Sequence, residues 1–305
     1  MPARKRAAGA AKIKTSAGSK VFDAFNYVFL TLFTLTTLYP FYYIFIYSIS
    51  DPIEAQKGIV LWPAGFTLDN YVETLKISGI LDAAFISLAR TVLGTALTVF
   101  CCTFLAYLVT KEKLRFRKFI YRFVVITMYL NAGIIPWYMV MRAYGLNNNF
   151  LLYIIPSAVS AYFVILIKTY LESIPPSLEE SAELDGAGYW KRFWRIIWPM
   201  ATPIIATIVV FSAVNQWNTW YDNLFLVQDK GLRTLQLVLY DYLNEANRMA
   251  MKSIEELSRG QSVPRLTPTS VRMTITMVVT LPIIVVYPFM QRYFVKGLML
   301  GAVKG

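Results

Sequence analysis

Few side chains in this sequence could do covalent chemistry. Histidine is absent, which removes the commonest general acid–base and the commonest metal ligand. Cys101 and Cys102 are adjacent inside an apolar run. That spacing builds neither a disulfide framework nor a zinc site, so the pair reads as small buried hydrophobes. No glycine-rich loop ending in Lys-Ser or Lys-Thr occurs, so the chain has no phosphate cradle of its own. The ionisable residues at apolar runs are Arg90, Lys168, Asp222 and Arg272, all near run ends. The mid-run carboxylates that a proton- or sodium-driven carrier needs are lacking. Two readings of Arg90 stand open: its head group snorkels to the membrane surface, or it lines a polar path.

The most polar interruption of the apolar pattern is 173–199, SIPPSLEESAELDGAGYWKRFWRIIWP. Pro175 and Pro176 cannot continue a preceding helix. Ser177 and Glu180 have the spacing of a capping box. A short helix is predicted to about Asp185, ended by Gly186 in the left-handed conformation. A second helix, aromatic and basic, is predicted from about Tyr189 to Trp198 and closed by Pro199. Phe193, Trp194 and Trp198 are expected to bury that helix against the loop and the neighbouring span bases. A helix–glycine–helix hairpin is a shape that another protein can grip.

The elements that must carry this hairpin are membrane spans. Of 305 residues, 56% are hydrophobic, 15% aromatic and only 16% charged, where a soluble domain carries about 25% charged residues. Several apolar runs exceed the ~18 residues needed to cross a bilayer as a helix. The fold class is an all-α membrane protein with six expected spans, near 21–49, 85–110, 119–141, 150–171, 199–225 and 273–294. Pro136 predicts a kink in the third. The net charge of +12 gathers near span ends. It reads as topology rather than nucleic-acid binding. The loop at 111–122 is rich in Lys and Arg and belongs inside; 50–84 is poor in them and belongs outside. Both termini then lie in the cytoplasm, with a basic tail at 1–20, the hairpin inside, and a tail at 295–305. In the outer segment 226–271, Leu232, Leu235, Val238, Leu239 and Tyr242 predict an amphipathic helix.

The hairpin also carries a resemblance. Glu180-Ser181-Ala182, three residues, Gly186, nine residues and Ile196-Ile197-Trp198-Pro199 resemble the EAA loop of ABC importer permeases. Ser181 and Trp198 depart from the usual Ala and Leu, whereas Asp185-Gly186-Ala187 matches the sugar-importer form. Asn131 to Pro136, Trp217-Asn218 with Trp220, and 291–305 are similar to carbohydrate-uptake permeases of the maltose-transporter type, in particular a Gram-positive subfamily for aldouronate-like oligosaccharides.

The resemblance implies a type I permease that imports an oligosaccharide by alternating access across a bacterial plasma membrane, with no catalysis of its own. Implied partners are a second permease subunit, two cytoplasmic ATPase subunits that bind ATP and magnesium, and an extracytoplasmic solute-binding protein. The outer segment 226–271 is the expected docking surface for that binding protein. Glu180, Ser181, Ala182, Asp185, Gly186 and Ala187 would form the ATPase-coupling site. Trp217, Asn218, Trp220, Asn131 and Arg90 are candidates for the substrate path; the aromatic ones read equally as an interfacial belt. The tail from Val295 is either a disordered end or, by resemblance, an insert between the ATPase subunits. A six-span secondary carrier or channel is the alternative, and it leaves the hairpin unexplained. Glu180 acts as a cap, as an ATPase contact, or as both. Glu180→Gln keeps a side chain able to cap but loses the charge. Coupled ATP hydrolysis and uptake are expected to fall; unchanged transport would remove the ion-pair role.

Overall fold

The computed structural model describes residues 17–58, 61–130, 132–244 and 267–302, with the backbone course alone from 289. Among these residues the structure is helical, apart from one isolated bridge between Ser50 and Phe66. Helices α1 (Ala17–Ser48), α3 (Ile80–Thr110) and the 268–288 part of α13 (Pro268–Ala302) are each long and apolar enough to cross a bilayer. Both α1 and α3 begin several residues before the expected span starts. Helix α13 also continues through most of the expected tail at 295–305.

The other expected spans are built from pieces. The third is split into α4 (Arg117–Tyr129) and α5 (Ile134–Ala143). The break lies upstream of Pro136, at Gly133, whose φ of 81° is left-handed. Pro136 sits in the first turn of α5, where a missing N–H costs no helical bond. The fourth is a 3-10 turn at Phe150–Tyr153, an irregular stretch containing Pro156, and only then α6 (Ala161–Leu171). The fifth begins at α10 (Thr202–Asn218), and the hairpin's second arm meets α10 at 81°. The described residues therefore hold three uninterrupted crossing helices, or four if that bent pair is one span, against the six expected.

Helix α3 positions the rest. Its middle packs with α6 and α10 around Val99, Cys102, Ala106, Ile167 and Ile208, all buried. Irregular backbone at membrane depth survives only where protein groups satisfy it, and α3 supplies them. Thr98 Oγ1 donates to Ser157 O at 2.8 Å, and Cys102 Sγ accepts from Ser160 N at 3.3 Å. Cys102 is fully buried as expected, but it is also a weak hydrogen-bonding group. Gly94 is required by close approach: a Cβ there would sit 2.5 Å from Gln216 Nε2.

At the end of the bundle away from the 173–199 hairpin, α2 (Asp69–Lys76) precedes α3, and α11 (Tyr221–Leu226) follows α10. The predicted amphipathic helix is α12, described over 235–244. Leu235, Val238, Leu239 and Tyr242 pack with Ile80 of α3 and Val271 and Ile275 of α13. Leu232 lies apart, in a 3-10 turn at Lys230–Leu232.

Candidate functional site

The hairpin consists of α7 (Ser177–Leu184), α8 (Tyr189–Arg192), a π turn at Phe193–Ile197 and α9 (Trp198–Met200). The expected capping box does not form. Helix α7 starts on the prolines, with Pro176 as its cap residue and no side-chain cap. Glu179 N and Glu180 N both donate to Pro176 O at 3.0 Å. Proline tolerates a first turn because its missing N–H would be unpaired there anyway, so Ser177 is drawn inside the helix. The predicted stop is present. Gly186 has φ 78°, Gly186 N donates to Glu183 O at 3.0 Å and Ala187 N to Ala182 O at 2.9 Å, the two bonds of a Schellman motif. Pro199 does not close the second arm. The π turn, in which Trp198 N donates to Phe193 O, precedes it, and the helix runs on to Met200.

Two of the three acids of α7 are paired with basic groups of the chain, Glu179 half-buried and Glu183 at the surface. Glu179 Oε1 accepts from Tyr107 Oη at 2.8 Å, and its other oxygen accepts from Lys111 Nζ. Glu183 accepts from Lys113 Nζ at 2.5 Å and from Arg192 Nη1 at 2.6 Å. Arg192 lies 3.6 Å from Glu179 and stands over the Tyr189 ring at 4.4 Å. The Lys113–Glu183 pair is solvent-exposed, and water and salt screen such pairs to little net effect. The ionic centre is therefore Arg192 with Glu179 and Lys111, whose side chains are 5%, 16% and 18% exposed.

Hydrogen bonds from Lys113 and then Arg192 hold the Glu183 carboxyl below its ordinary value. Its contribution is in place above the ordinary carboxylate range and is lost as pH falls through the lowered value. Burial pushes the Lys111 ammonium down, opposed by its bond to Glu179. Burial also works against the Arg192 charge, but the bond to Glu183 and the surrounding groups leave its pKa above the ordinary value.

Packing supplies most of the hairpin's stability. Phe193 is fully buried, with ring centroids 5.3 Å from Phe104 and 5.4 Å from Tyr107. Emptying such a site costs about 3–5 kcal/mol. The Trp194 and Trp198 rings lie tilted against one another, with centroids 4.8 Å apart. Phe193 and, in part, Trp198 thus bury the second arm against the base of α3, as expected, whereas Trp194 stays 39% exposed. Of the expected coupling residues, Ser181 Oγ donates to Ser177 O at 2.8 Å. Glu180 is exposed and makes no side-chain bond among the described residues. Leu184, four residues on and on the same helical face, is 90% exposed.

The substrate-path candidates are dispersed. Asn131 lies outside the described residues. Trp217 Nε1 donates to Val279 O at 2.9 Å, Asn218 Oδ1 accepts from Gln236 Nε2 at 3.0 Å, and Trp220 stacks on Tyr240 at 4.3 Å. These three brace α12 and α13 rather than converge on one site. Arg90 does not reach a surface. Its head group meets Asp222 at 3.1 and 2.5 Å, Gln216 Oε1 at 3.1 Å and Thr219 O at 3.0 Å, and covers the Tyr153 ring at 4.7 Å. Gln216 in turn donates to Ser157 Oγ at 2.6 Å, and Asn223 joins Tyr153 Oη to Thr234 N. A cavity of about 600 Å³ lies elsewhere, lined by Asp82, Lys230, Arg233, Asp241 and Tyr242 among others.

Sequence reasoning missed Glu179, Glu183 and Arg192. The i, i+4 acids of α7 facing a basic helix were the available signal. Arg90 and Asp222 are 3% and 5% exposed. Removing one partner of a buried pair costs about 3–5 kcal/mol, whereas removing both is often tolerated. Asp222→Ala is therefore expected to lower the melting temperature of the detergent-solubilised subunit sharply, and adding Arg90→Leu to recover much of the loss. An unchanged melting temperature in Asp222→Ala would contradict this.

Over residues 7–299 the chain matches the family described as binding-protein-dependent transport system inner membrane component. It is 33% identical over 294 residues to Protein LplC of Bacillus subtilis (strain 168), covering 95% of this chain and 97% of that one. It is 33% identical over 288 residues to the polygalacturonan/rhamnogalacturonan transport system permease protein YtcP of the same organism, covering 94% and 99%. A chain of the crystal structure of a bacterial ABC transporter involved in the import of the acidic polysaccharide alginate superposes with a TM-score of 0.83 at 29% identity, over 92% of this chain and 99% of that one. A chain of the alginate transporter in complex with alginate pentasaccharide-bound periplasmic protein, at TM-score 0.51 and 15% identity, shares the fold alone. The chain belongs to the binding-protein-dependent transport system inner membrane component family, as the membrane-spanning permease subunit of an ABC importer.

Proposed function

We propose that this permease imports an oligosaccharide across a bacterial plasma membrane by alternating access. Two cytoplasmic ATPase subunits, holding ATP and magnesium, grip its hairpin and that of a second permease subunit. The observation that carries this reading is Glu180. It is the α7 carboxylate left exposed and without a side-chain partner among the described residues, while Glu179 and Glu183 on the same helix are committed to pairs within the chain. With Leu184 beside it, Glu180 offers a charge and an apolar knob on one face. Asp185, Gly186 and Ala187 form the turn that ends that face.

An extracytoplasmic binding protein would deliver the sugar to the outer surface. The 77–82 and 230–244 segments around the outer cavity offer polar side chains of both signs there. Trp217, Asn218, Trp220 and Arg90 shape that outer half from behind rather than as a bare sugar site. Uronate-containing oligosaccharides are the first class to test. Two similar transporters are named for polygalacturonan/rhamnogalacturonan and for the acidic polysaccharide alginate.

Co-expression with its ATPase should allow the tagged permease to copurify that subunit, and Glu180→Arg should abolish the capture while the permease stays folded. Equal capture by Glu180→Arg would overturn the docking role. Calorimetry of the cognate binding protein should show tight binding of galacturonate oligomers and none of neutral malto-oligomers; the reverse would reject the acidic class.

A further inference from the structure

We infer that Arg192, Glu179 and Lys111 form a clamp that makes the hairpin and α3 one mechanical unit, so that α3 receives the ATPase stroke. The inference rests on the reading of the hairpin as the ATPase handle. The covalent route out of the hairpin is a poor transmitter. Helix α9 turns by 81° into α10 at Ala201, between Pro199 and Pro203, neither of which has an N–H to donate. Ala201 itself keeps its helical bonds: its N donates to Ile197 O at 2.8 Å and its O accepts from Ile205 N at 2.9 Å. The sharp bend, rather than a broken ladder, interrupts this route.

The side-chain route is continuous. Arg192 joins the two arms through Glu183 at 2.6 Å and faces Glu179 at 3.6 Å. Glu179 then holds both Tyr107 and Lys111 at the cytoplasmic end of α3. Phe193 fills the space between Phe104 and Tyr107 and removes slack. A straight helix of 31 residues is about 46 Å long. The same rod carries Arg90 about a third of the way in from its Ile80 end, roughly 15 Å along the axis, bound to Asp222 and Gln216. Displacement of the hairpin therefore arrives directly at the outer polar network. Glu179, Lys111 and Arg192 are positioning residues in this scheme. They touch neither nucleotide nor sugar.

A purely structural role would change the amount of folded transporter but not the sugar moved per ATP hydrolysed. The test uses the complete transporter, with permeases, ATPases and binding protein, reconstituted in liposomes. Glu179→Gln keeps an acceptor for Tyr107 and loses the charge. The ATPase subunits should still copurify and ATP hydrolysis should persist. Uptake per ATP should fall about tenfold, a mid-range coupling for residues in one ion network. In a Cys101→Ala, Cys102→Ser background, Glu179→Cys with Lys111→Cys should be similarly uncoupled. Joining the two thiols with a short bis-methanethiosulfonate reagent should restore uptake per ATP.

Unchanged uptake per ATP in Glu179→Gln, or no recovery on cross-linking, would overturn the clamp. Loss of ATPase capture by Glu179→Gln would also overturn it, because it would place that carboxylate in the docking face. Failure of the docking reading is separate: it would appear as Glu180→Arg retaining the ATPase.

Discussion

A guanidinium sealed inside a bundle at 3% exposure dictates much of the architecture around it. Charge at membrane depth is costly unless it is paired and its donors are filled. Arg90 is satisfied by groups more than a hundred residues away in sequence: Asp222, Gln216 and the Thr219 carbonyl. Those bonds fix where α10 ends and α11 begins. Through Gln216 and Ser157 they also fix the irregular fourth segment. Gly94 exists to let Gln216 through.

The same face of α3 continues towards the hairpin. Ser87, Arg90, Gly94, Thr98 and Cys102 recur at three- and four-residue spacing, and each meets a polar group or a backbone that would otherwise be bare. Beyond them come Tyr107 and Lys111, which hold Glu179 of the hairpin. One helix thus joins the buried Arg90 network to the hairpin. The aromatic plug at Phe193 supplies most of the cohesion, and the ionic groups set the register. Because Glu179 and Glu183 are spent on this join, Glu180 and Leu184 are free to face a partner.

Much of this was legible in the residues, and the limits were physical. Gly186 was readable because only a left-handed residue ends α7 there, and the aromatic arm because so many rings could not all be exposed. The membrane class followed from composition, and the carrier alternative lost its ground once the family match covered residues 7–299. The capping box was misread because Ser-x-x-Glu spacing is unchanged when prolines start the helix earlier. Broken spans were read as continuous because hydropathy does not register Gly133 or the Pro156 stretch while apolar residues surround them. The Arg90–Asp222 pair could not be seen, since nothing local joins positions 132 residues apart. The stripe on α3 was visible as a spacing, but its partners were not.

On the proposed docking reading, α7 presents Glu180 and Leu184 to a cytoplasmic ATPase, while Glu179 ties it to the end of α3 and Glu183 ties it to Lys113 and Arg192. Maleimide labelling of Leu184→Cys, in a Cys101→Ala, Cys102→Ser background, tests it directly. A membrane-impermeant reagent should reach position 184, 90% exposed in the free subunit, only from the cytoplasmic side. Bound ATPase subunits should slow that labelling about tenfold or more, as burial in a packed interface core requires. Trp62→Cys in the outer loop should label only from outside and at one rate throughout. Equal labelling of position 184 with and without the ATPase, or access to it from outside, would contradict the account.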